Sequence, residues 1–403
     1  MFKKLKQLGP GMIVAAAFIG PGTVTTASIA GAGYGYTLLW AMSFSILATI
    51  LLQEMTARLG TQAKMGLGEA IRYKSTNKFL KYLSYALVIS AIVIGNAAYE
   101  SGNLAGAIMG FEGVPEVFGI NLLLLFIGMS AFTLLFLGKY QYIERFLILL
   151  VSIMGIVFIF AAILLQPSFT EIMKGLFMPV IPEKAALMVV GLIGTTVVPY
   201  NLFLHASASK AKWRTGDSLS LSRWDTVVSV SLGGVITMAI MITSAVAFKG
   251  NPQEIDGITV LGAQLKPILG DWSTPFLAFG FLAAGFSSSI TAPLAAAYAT
   301  SEMLDWKDGL RSKKFKMIWI LVLMTGIIIA SMGFRPTALI LFAQVTNGLL
   351  LPILAIYLLW IMNDKALMGK HVNSKLINIM GVVVIIVTLV LGLKSIFSAL
   401  RII

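Results

Sequence analysis

Two proline-containing segments carry groups that could bind a cation within a membrane. The first runs from Phe18 to Thr23 and reads FIGPGT; the second runs from Gly194 to Asn201 and reads GTTVVPYN. Proline removes a backbone hydrogen-bond donor and clashes with the preceding turn, and neighbouring glycine makes unwinding easier. Freed carbonyl groups and helix ends can coordinate a cation, with polar neighbours completing its shell. The simpler alternative is two ordinary proline kinks.

Two titratable side chains lie inside apolar stretches. Glu100 could accept a proton, since a carboxyl group within a membrane span usually serves transport. Its structural alternative is a protonated residue, or one paired locally with Asn96 or Tyr99. His205 follows the second break; an imidazole commonly carries protons, although a hydrogen-bonded core histidine is the alternative.

Three other groups have simpler interpretations. Glu54 and Arg58 are spaced four residues apart near a helix end, which predicts a structural ion pair. The run Ser287-Ser288-Ser289 is small and polar, which favours close helix packing. The sequence holds no Cys and only two His, which excludes Cys-ligated zinc, iron–sulfur and c-type haem sites. We therefore expect no cofactor.

The composition indicates which elements must position these groups. Of the 403 residues, 58% are hydrophobic and 12% charged, and the mean hydropathy is +0.90. A soluble domain carries roughly twice that share of charge, so a soluble enzyme is excluded. We predict eleven membrane-spanning helices of an all-α membrane protein. The predicted spans are 10–32, 35–59, 80–108, 118–138, 142–166, 185–208, 225–248, 275–303, 316–333, 337–361 and 376–400.

The basic residues alternate with these spans. With the N-terminus inside, 23 of the 30 Lys and Arg residues fall on the inner side. This bias predicts a plasma (inner) membrane protein with a cytoplasmic N-terminus and an external C-terminus. The net charge of +13 is thus explained by topology, and we expect no nucleic-acid partner. The lipid bilayer is the expected surrounding, and a monomer is compatible with the sequence.

The two breaks are five spans apart. Five helices followed by five of opposite orientation form an inverted repeat, which predicts one transmembrane domain over 1–403. Its repeats would cover about 8–166 and 185–361, with an extra helix at 376–400. Interrupted helices in matching positions of two halves point to a binding site at the membrane midplane. The sequence shows no phosphate-loop motif, which favours secondary or channel-type transport.

Several stretches form a recognisable series whose order covers nearly the whole chain: Gly31 to Tyr36, Leu52-Gln53-Glu54, Asn201 to His205, Arg223 to Thr226 and Ala284 to Ser288. Together they resemble the Nramp (natural resistance-associated macrophage protein) family of proton-coupled divalent-metal importers. The resemblance implies the leucine-transporter-type 5+5 inverted repeat with discontinuous helices 1 and 6. It also implies divalent-cation transport by alternating access.

The departures from the family pattern fall on its chemistry. The family's first break reads Asp-Pro-Gly-Asn, and its Asp and Asn ligate the metal; Gly20 and Thr23 stand in those positions here. Its second break reads Met-Pro-His, whereas this chain has Val198 and Tyr200 around the proline. By position, Gly20, Thr23 and Gln344 correspond to metal-facing residues of the family.

The family's proton route is altered as well. A family Asp aligns with Asn96 and a nearby Glu with Tyr99, while Glu100 lies one position along. His205 matches a histidine that the family keeps on this route. The proton-route candidates of this chain are therefore Asn96, Tyr99, Glu100 and His205.

The groups that remain around the breaks are polar and neutral, apart from one valine. The substrate-binding candidates are Gly20, Thr23, Thr195, Thr196, Val198, Tyr200, Asn201, Gln344 and Asn347. This set suits a hydrated cation, a monovalent ion, or a small neutral or zwitterionic solute. The hydroxyl and amide groups could also only satisfy unwound backbone and bond neighbouring helices.

The sequence thus predicts a secondary transporter that moves a cation. The family implies a divalent metal, with Mg²⁺ favoured over Mn²⁺ and Fe²⁺ because Val198 offers no soft ligand. Some Nramp relatives that lack the methionine carry magnesium or aluminium. Proton coupling is expected to be weak or absent. The alternatives are a carrier of a non-metal solute on the same fold and a transport-inactive receptor or scaffold; an enzyme is not expected.

Overall fold

The protein is almost entirely helical in a computed structural model. The structure describes residues 9–11, 19–111, 113–117, 119–138, 141–183, 185–213, 219–249, 255–306 and 312–399. Residues 12–18 of the first predicted span, including Phe18, lie outside these residues. Seventeen α-helices and one short hairpin are numbered below in chain order for the described residues.

The helices are α1 (Pro21–Tyr34), α2 (Leu39–Arg58), α3 (Leu67–Lys74), α4 (Lys78–Ile108), α5 (Leu122–Leu137), α6 (Gln141–Leu164), α7 (Phe169–Phe177), α8 (Ala186–Thr196), α9 (Pro199–Lys212), α10 (Leu219–Ala247), α11 (Ile258–Ala263), α12 (Lys266–Leu269), α13 (Ser273–Leu304), α14 (Lys313–Ala330), α15 (Pro336–Met362), α16 (Lys365–Met368) and α17 (Lys375–Ala399). A π-helical turn, Leu59–Ala63, continues α2, and 3₁₀ turns follow α12 and α16 at Gly270–Trp272 and Gly369–His371. Strands β1 (Glu116–Val117) and β2 (Ile120–Asn121) pair antiparallel ahead of α5.

Each of the eleven predicted spans coincides with helical structure. Eight stretches of the described residues are long and apolar enough to cross a membrane: Leu39–Ala63, Lys78–Ile108, Phe146–Leu164, Ala186–Lys212, Leu219–Ala247, Lys266–Leu304, Pro336–Met362 and Lys375–Phe397. Helices α1, α5 and α14 account for the other three predicted spans but fall outside this group. The membrane architecture is confirmed, whereas the count of eleven spans stays a prediction.

Helix starts follow local sequence. Asn77, Asn121 and Ser312 accept hydrogen bonds from backbone N–H groups in the first turns of α4, α5 and α14. Such caps satisfy donors that the helix itself leaves unpaired. Proline opens α1, α9 and α15, where its missing N–H costs nothing.

The long helix α4 packs against α13, α15 and α14. Helix α1 packs against α10, and α8 packs against α15. Glycine permits the closest approach, since a Cβ at Gly194 would collide with the carbonyl oxygen of Gln344 and the backbone of Gly348. The packing therefore brings both helix breaks against α4, α13 and α15.

Candidate functional site

At the first break, helix α1 begins directly after an extended residue. Gly20 has extended backbone angles (φ −120°, ψ −174°) and precedes Pro21, the first residue of α1. The Gly20 carbonyl accepts backbone hydrogen bonds from Thr23 at 3.1 Å and Val24 at 3.2 Å. This carbonyl is thus already used by the helix, and the polar side chains nearby become the more important ligand candidates.

The second break separates α8 from α9. Helix α8 ends at Thr196, Val197 leaves the helical conformation, and Val198 is extended before Pro199 opens α9. The backbone N–H of Asn201 donates to the Val198 carbonyl at 3.0 Å. Both predicted discontinuities are therefore present among the described residues.

A hydroxyl pair joins the two breaks. The Oγ1 atoms of Thr23 and Thr195 lie 2.7 Å apart, and both residues are buried. A Cβ at Gly22 would collide with the amide of the Gln344 side chain. Gly22 therefore lets α15 bring Gln344 against the first break.

Two tyrosines cover the same region from α4 and α9. The rings of Tyr99 and Tyr200 meet edge to face, with centroids 5.6 Å apart. A Cβ placed on Gly20 would lie 4.0 Å from the Tyr99 hydroxyl oxygen and 3.4 Å from the Ser288 hydroxyl oxygen. Hydroxyl groups from α4 and α13 thus flank the position where the family has its aspartate.

Two buried amides have unused hydrogen-bonding capacity. Both side-chain polar atoms of Asn201 and of Asn347 lack a partner within the described part of the chain, as does the Gln344 carbonyl oxygen. Asn347 lies beside Gly95 of α4. Buried amide atoms without partners are rare, and a bound substrate or water is a common reason for them.

Two of the substrate-binding candidates, Thr196 and Val198, make their contacts away from this centre. Thr196 bonds the hydroxyl of Ser45 on α2 and donates to the Ile193 carbonyl at 3.2 Å, so its hydroxyl is used between α8 and α2. Val198 is fully buried in the main hydrophobic core and offers only methyl groups.

The proton-route candidates divide into separate environments. The Asn96 amide donates to the Ala292 carbonyl at 2.9 Å, which ties α4 to α13. Glu100 is fully buried and accepts a 3.4 Å hydrogen bond from Asn103. Its side chain packs on Gly326 of α14. The structural alternative for Glu100 is local pairing with Asn96 or Tyr99; the hydrogen bond seen is with Asn103, one turn further along the helix.

His205 is fully buried on α9. Its Nδ1 atom lies 2.8 Å from the side-chain oxygen of Gln53 on α2, and the two atoms form a hydrogen bond. The Nε2 atom has no partner among the described residues. One nitrogen of the His205 ring is therefore hydrogen-bonded, as in a core histidine, while the other nitrogen is without a partner among the described residues.

Charged side chains gather at the predicted cytoplasmic ends of the helices. The predicted Glu54–Arg58 ion pair is present at 3.2 Å, and Arg223 adds a second bond to Glu54 at 2.7 Å. Further along, Glu302 of α13 accepts hydrogen bonds from the hydroxyl of Ser207 on α9 and, at 3.1 Å, from the Gly68 N–H of α3. This Glu302 contact holds the end of α9 against α3 and α13.

The polar side chains gathered at the two breaks are hydroxyl and amide groups, which carry no charge. Among the described residues, no group of three or more His, Asp or Glu could hold a metal ion. Hydroxyl and amide oxygens are hard, neutral donors, and they accept hydrogen bonds as readily as they contact a cation directly.

The sequence pattern does not single out Ser288, whose hydroxyl lies beside position 20. Close helix packing is the expectation for the whole serine run, and only the rotation of α13 decides which of its three hydroxyl groups faces the break. Tyr99 is a proton-route candidate by sequence, and its hydroxyl also lies near position 20. The helical period could have pointed to both, had the orientation of α4 and α13 been known.

The chain matches the family described as "Natural resistance-associated macrophage protein-like" over residues 11–398. A relative from Staphylococcus saprophyticus, named divalent metal cation transporter MntH, is 29% identical and covers 99% of this chain and 93% of its own length.

Solved structures show the same fold. A mutant of the Eremococcus coleocola manganese transporter aligns with a TM-score of 0.74 at 24% identity, covering 97% of this chain and 86% of that one. The transporter MhsT, solved in complex with L-phenylalanine, aligns with a TM-score of 0.62 at 15% identity, covering 96% and 98%. The leucine-transporter-type fold with discontinuous first and sixth helices is thereby confirmed.

Proposed function

The chain belongs to the Nramp family, and on that premise we propose that it carries a hydrated divalent cation, with Mg²⁺ preferred over Mn²⁺. Transport proceeds by alternating access, with weak or absent proton coupling. The MntH name of its relatives supports metal-cation transport in general. The preference and the coupling are inferred from this chain's own residues.

The absence of charge at the break supports the preference for a hydrated ion. Gly20 carries no carboxylate, and the groups around it are the hydroxyls of Thr23, Tyr99 and Ser288 and the amide of Gln344. Stripping water from a divalent ion is costly when no negative charge replaces it. Mg²⁺ dehydrates reluctantly and is usually bound with several of its waters. Neutral oxygens can accept hydrogen bonds from those waters, so they suit such an ion.

Loss of the soft ligand supports discrimination against Mn²⁺ and Fe²⁺. A thioether stabilises softer transition metals more than it stabilises Mg²⁺. Val198 presents only methyl groups at that position and is fully buried. The advantage that a methionine gives to transition metals is therefore missing.

The contact between Tyr99 and Tyr200 is the observation that carries the proposal. These residues stand where the family has a carboxylate and an imidazole, and here two aromatic rings meet 5.6 Å apart. A third position, Asn96, uses its amide as a donor to a backbone carbonyl. None of the three groups exchanges a proton near neutral pH. A proton following the family's route would meet three such groups.

Alternating access is supported by the placement of the breaks. Helices α8 and α9 can reorient at Val197 and Val198, and α9 is fastened at its far end by the Glu302 contact. Release of that contact would free α9 to open the predicted cytoplasmic side.

A second candidate is a neutral or zwitterionic solute. The unpartnered amides of Asn201 and Asn347 provide both donors and acceptors, which a solute uses more fully than an ion does.

Uptake by purified protein in liposomes separates these functions. We expect Mg²⁺ to enter faster than Mn²⁺ at equal concentration, against protein-free liposomes as the control. Uptake of Mn²⁺ at micromolar levels with internal acidification would overturn the proposal. No flux of any cation would favour the solute carrier.

A further inference from the structure

We infer that Ser288 is a specificity-determining residue of the cation site, where its hydroxyl, beside that of Tyr99, occupies the place of the missing carboxylate. The inference rests on the proposed function and names the group that replaces the lost acid. It concerns a residue that the sequence pattern assigns to packing.

The geometry around Gly20 points to this role. A side chain at Gly20 would start 3.4 Å from the Ser288 Oγ atom and 4.0 Å from the Tyr99 hydroxyl oxygen, the two nearest atoms to its Cβ. The backbone of Gly20 is extended, so any residue could adopt it. A side chain at position 20 would therefore begin beside these two hydroxyl groups.

The register of α13 against α4 favours Ser288 over its neighbours. Asn96 lies one turn before Tyr99, and Ala292 lies one turn after Ser288; the 2.9 Å bond between Asn96 and Ala292 ties the two helices together there. Ser289, by contrast, donates its hydroxyl to the Phe286 carbonyl at 2.9 Å. The hydroxyl groups of Ser288 and Ser289 therefore have different neighbours.

The chemistry of a hydroxyl fits an ion that keeps its water. Water bound to Mg²⁺ is a strong hydrogen-bond donor, and a serine oxygen can accept from it without forcing the ion to dehydrate. Ser288 is only 3% exposed, so bulk water competes little for its hydroxyl. Removal of one buried acceptor from a charged donor should weaken binding about tenfold.

A matched pair of serine variants tests the inference. Ser288→Ala and Ser289→Ala each delete one buried hydroxyl from the same turn of α13, and the full-length protein is titrated with Mg²⁺ alone by calorimetry in detergent. We expect Ser288→Ala to raise the dissociation constant about tenfold and Ser289→Ala to leave it within about twofold. Thermal unfolding without Mg²⁺ shows whether both variants remain folded.

Three results contradict the inference in distinguishable ways. Equal Mg²⁺ affinities for the two alanine variants would overturn the role of Ser288 and leave the proposed function standing. The variant Ser288→Thr keeps the hydroxyl and should bind Mg²⁺ as tightly as the unmodified protein. If Ser288→Thr and Ser288→Ala both bind Mg²⁺ weakly, the loss of affinity comes from altered packing, and the inference is overturned. Absence of Mg²⁺ binding by the unmodified protein would overturn the proposed function and this inference with it.

Discussion

A carboxylate returned to position 20 should restore tight binding of Mn²⁺. The Cβ of Gly20→Asp makes no clash, since it would lie 3.4 Å from the nearest side-chain atom. The extended backbone at Gly20 imposes no strain on it. Position 20 is also the N-cap of α1, where aspartate is among the favoured residues. The variant is therefore expected to fold.

The expected gain in Mn²⁺ affinity is the difference between two opposing electrostatic contributions. A carboxylate about 4 Å from a cation gains about 4 kcal/mol per unit charge at an effective dielectric constant of about 20, hence about 8 kcal/mol for a divalent ion. Desolvation of the buried carboxylate opposes this by several kcal/mol. A net gain of about 3 kcal/mol corresponds to roughly a hundredfold tighter binding.

Calorimetric titration with Mn²⁺ measures this gain directly. Gly33→Asp is a matched control, because it adds the same charge to the same helix at an exposed position with no atom within 4 Å of its Cβ. We expect a large gain for Gly20→Asp and little change for Gly33→Asp. The double variant with Val198→Met should favour Mn²⁺ further, since it adds the thioether. Unchanged Mn²⁺ affinity in a folded Gly20→Asp protein would refute the reasoning that the missing charge at position 20 weakens Mn²⁺ binding.

Three further predictions concern the contacts around the breaks. Gly22→Ala should lower the free energy of unfolding by about 1–3 kcal/mol, because its Cβ would displace Gln344; chemical denaturation that shows no loss would contradict this contact. Thr23→Val should cost about 1–3 kcal/mol by leaving Thr195 without its 2.7 Å partner, and a thermal-unfolding midpoint equal to that of the unmodified protein would contradict it. Glu302→Gln should speed amide hydrogen exchange in the last turns of α9, whereas unchanged exchange there would show that the Glu302 contact does not fasten this helix.

The sequence predicted the helix breaks and the membrane architecture well because those signals are local. Proline fixes where a helix can start, so Pro21 and Pro199 open α1 and α9 as expected. The i, i+4 spacing of Glu54 and Arg58 likewise led to an ion pair that is present. Hydropathy placed helical structure at every predicted span.

The orientation of side chains within the centre could not be predicted in the same way. Thr195 and Thr196 are neighbours, yet one bonds Thr23 across the break and the other bonds Ser45 of α2. Adjacent helical residues point about 100° apart, so a small uncertainty in helix rotation exchanges their roles. For the same reason, the sequence could not show that the Ser288 hydroxyl lies beside position 20. Rotation depends on how distant helices pack, and no local pattern encodes it.

Simultaneous recording of Mg²⁺ and pH inside liposomes tests the central claim most directly. The claim is that a neutral site carries a hydrated cation without the family's proton route. With an inwardly directed Mg²⁺ gradient and the membrane potential clamped, we predict Mg²⁺ entry at a constant internal pH, and the same rate when an opposing pH gradient is imposed. Mg²⁺ entry that acidifies the lumen in proportion to the uptake would contradict the account.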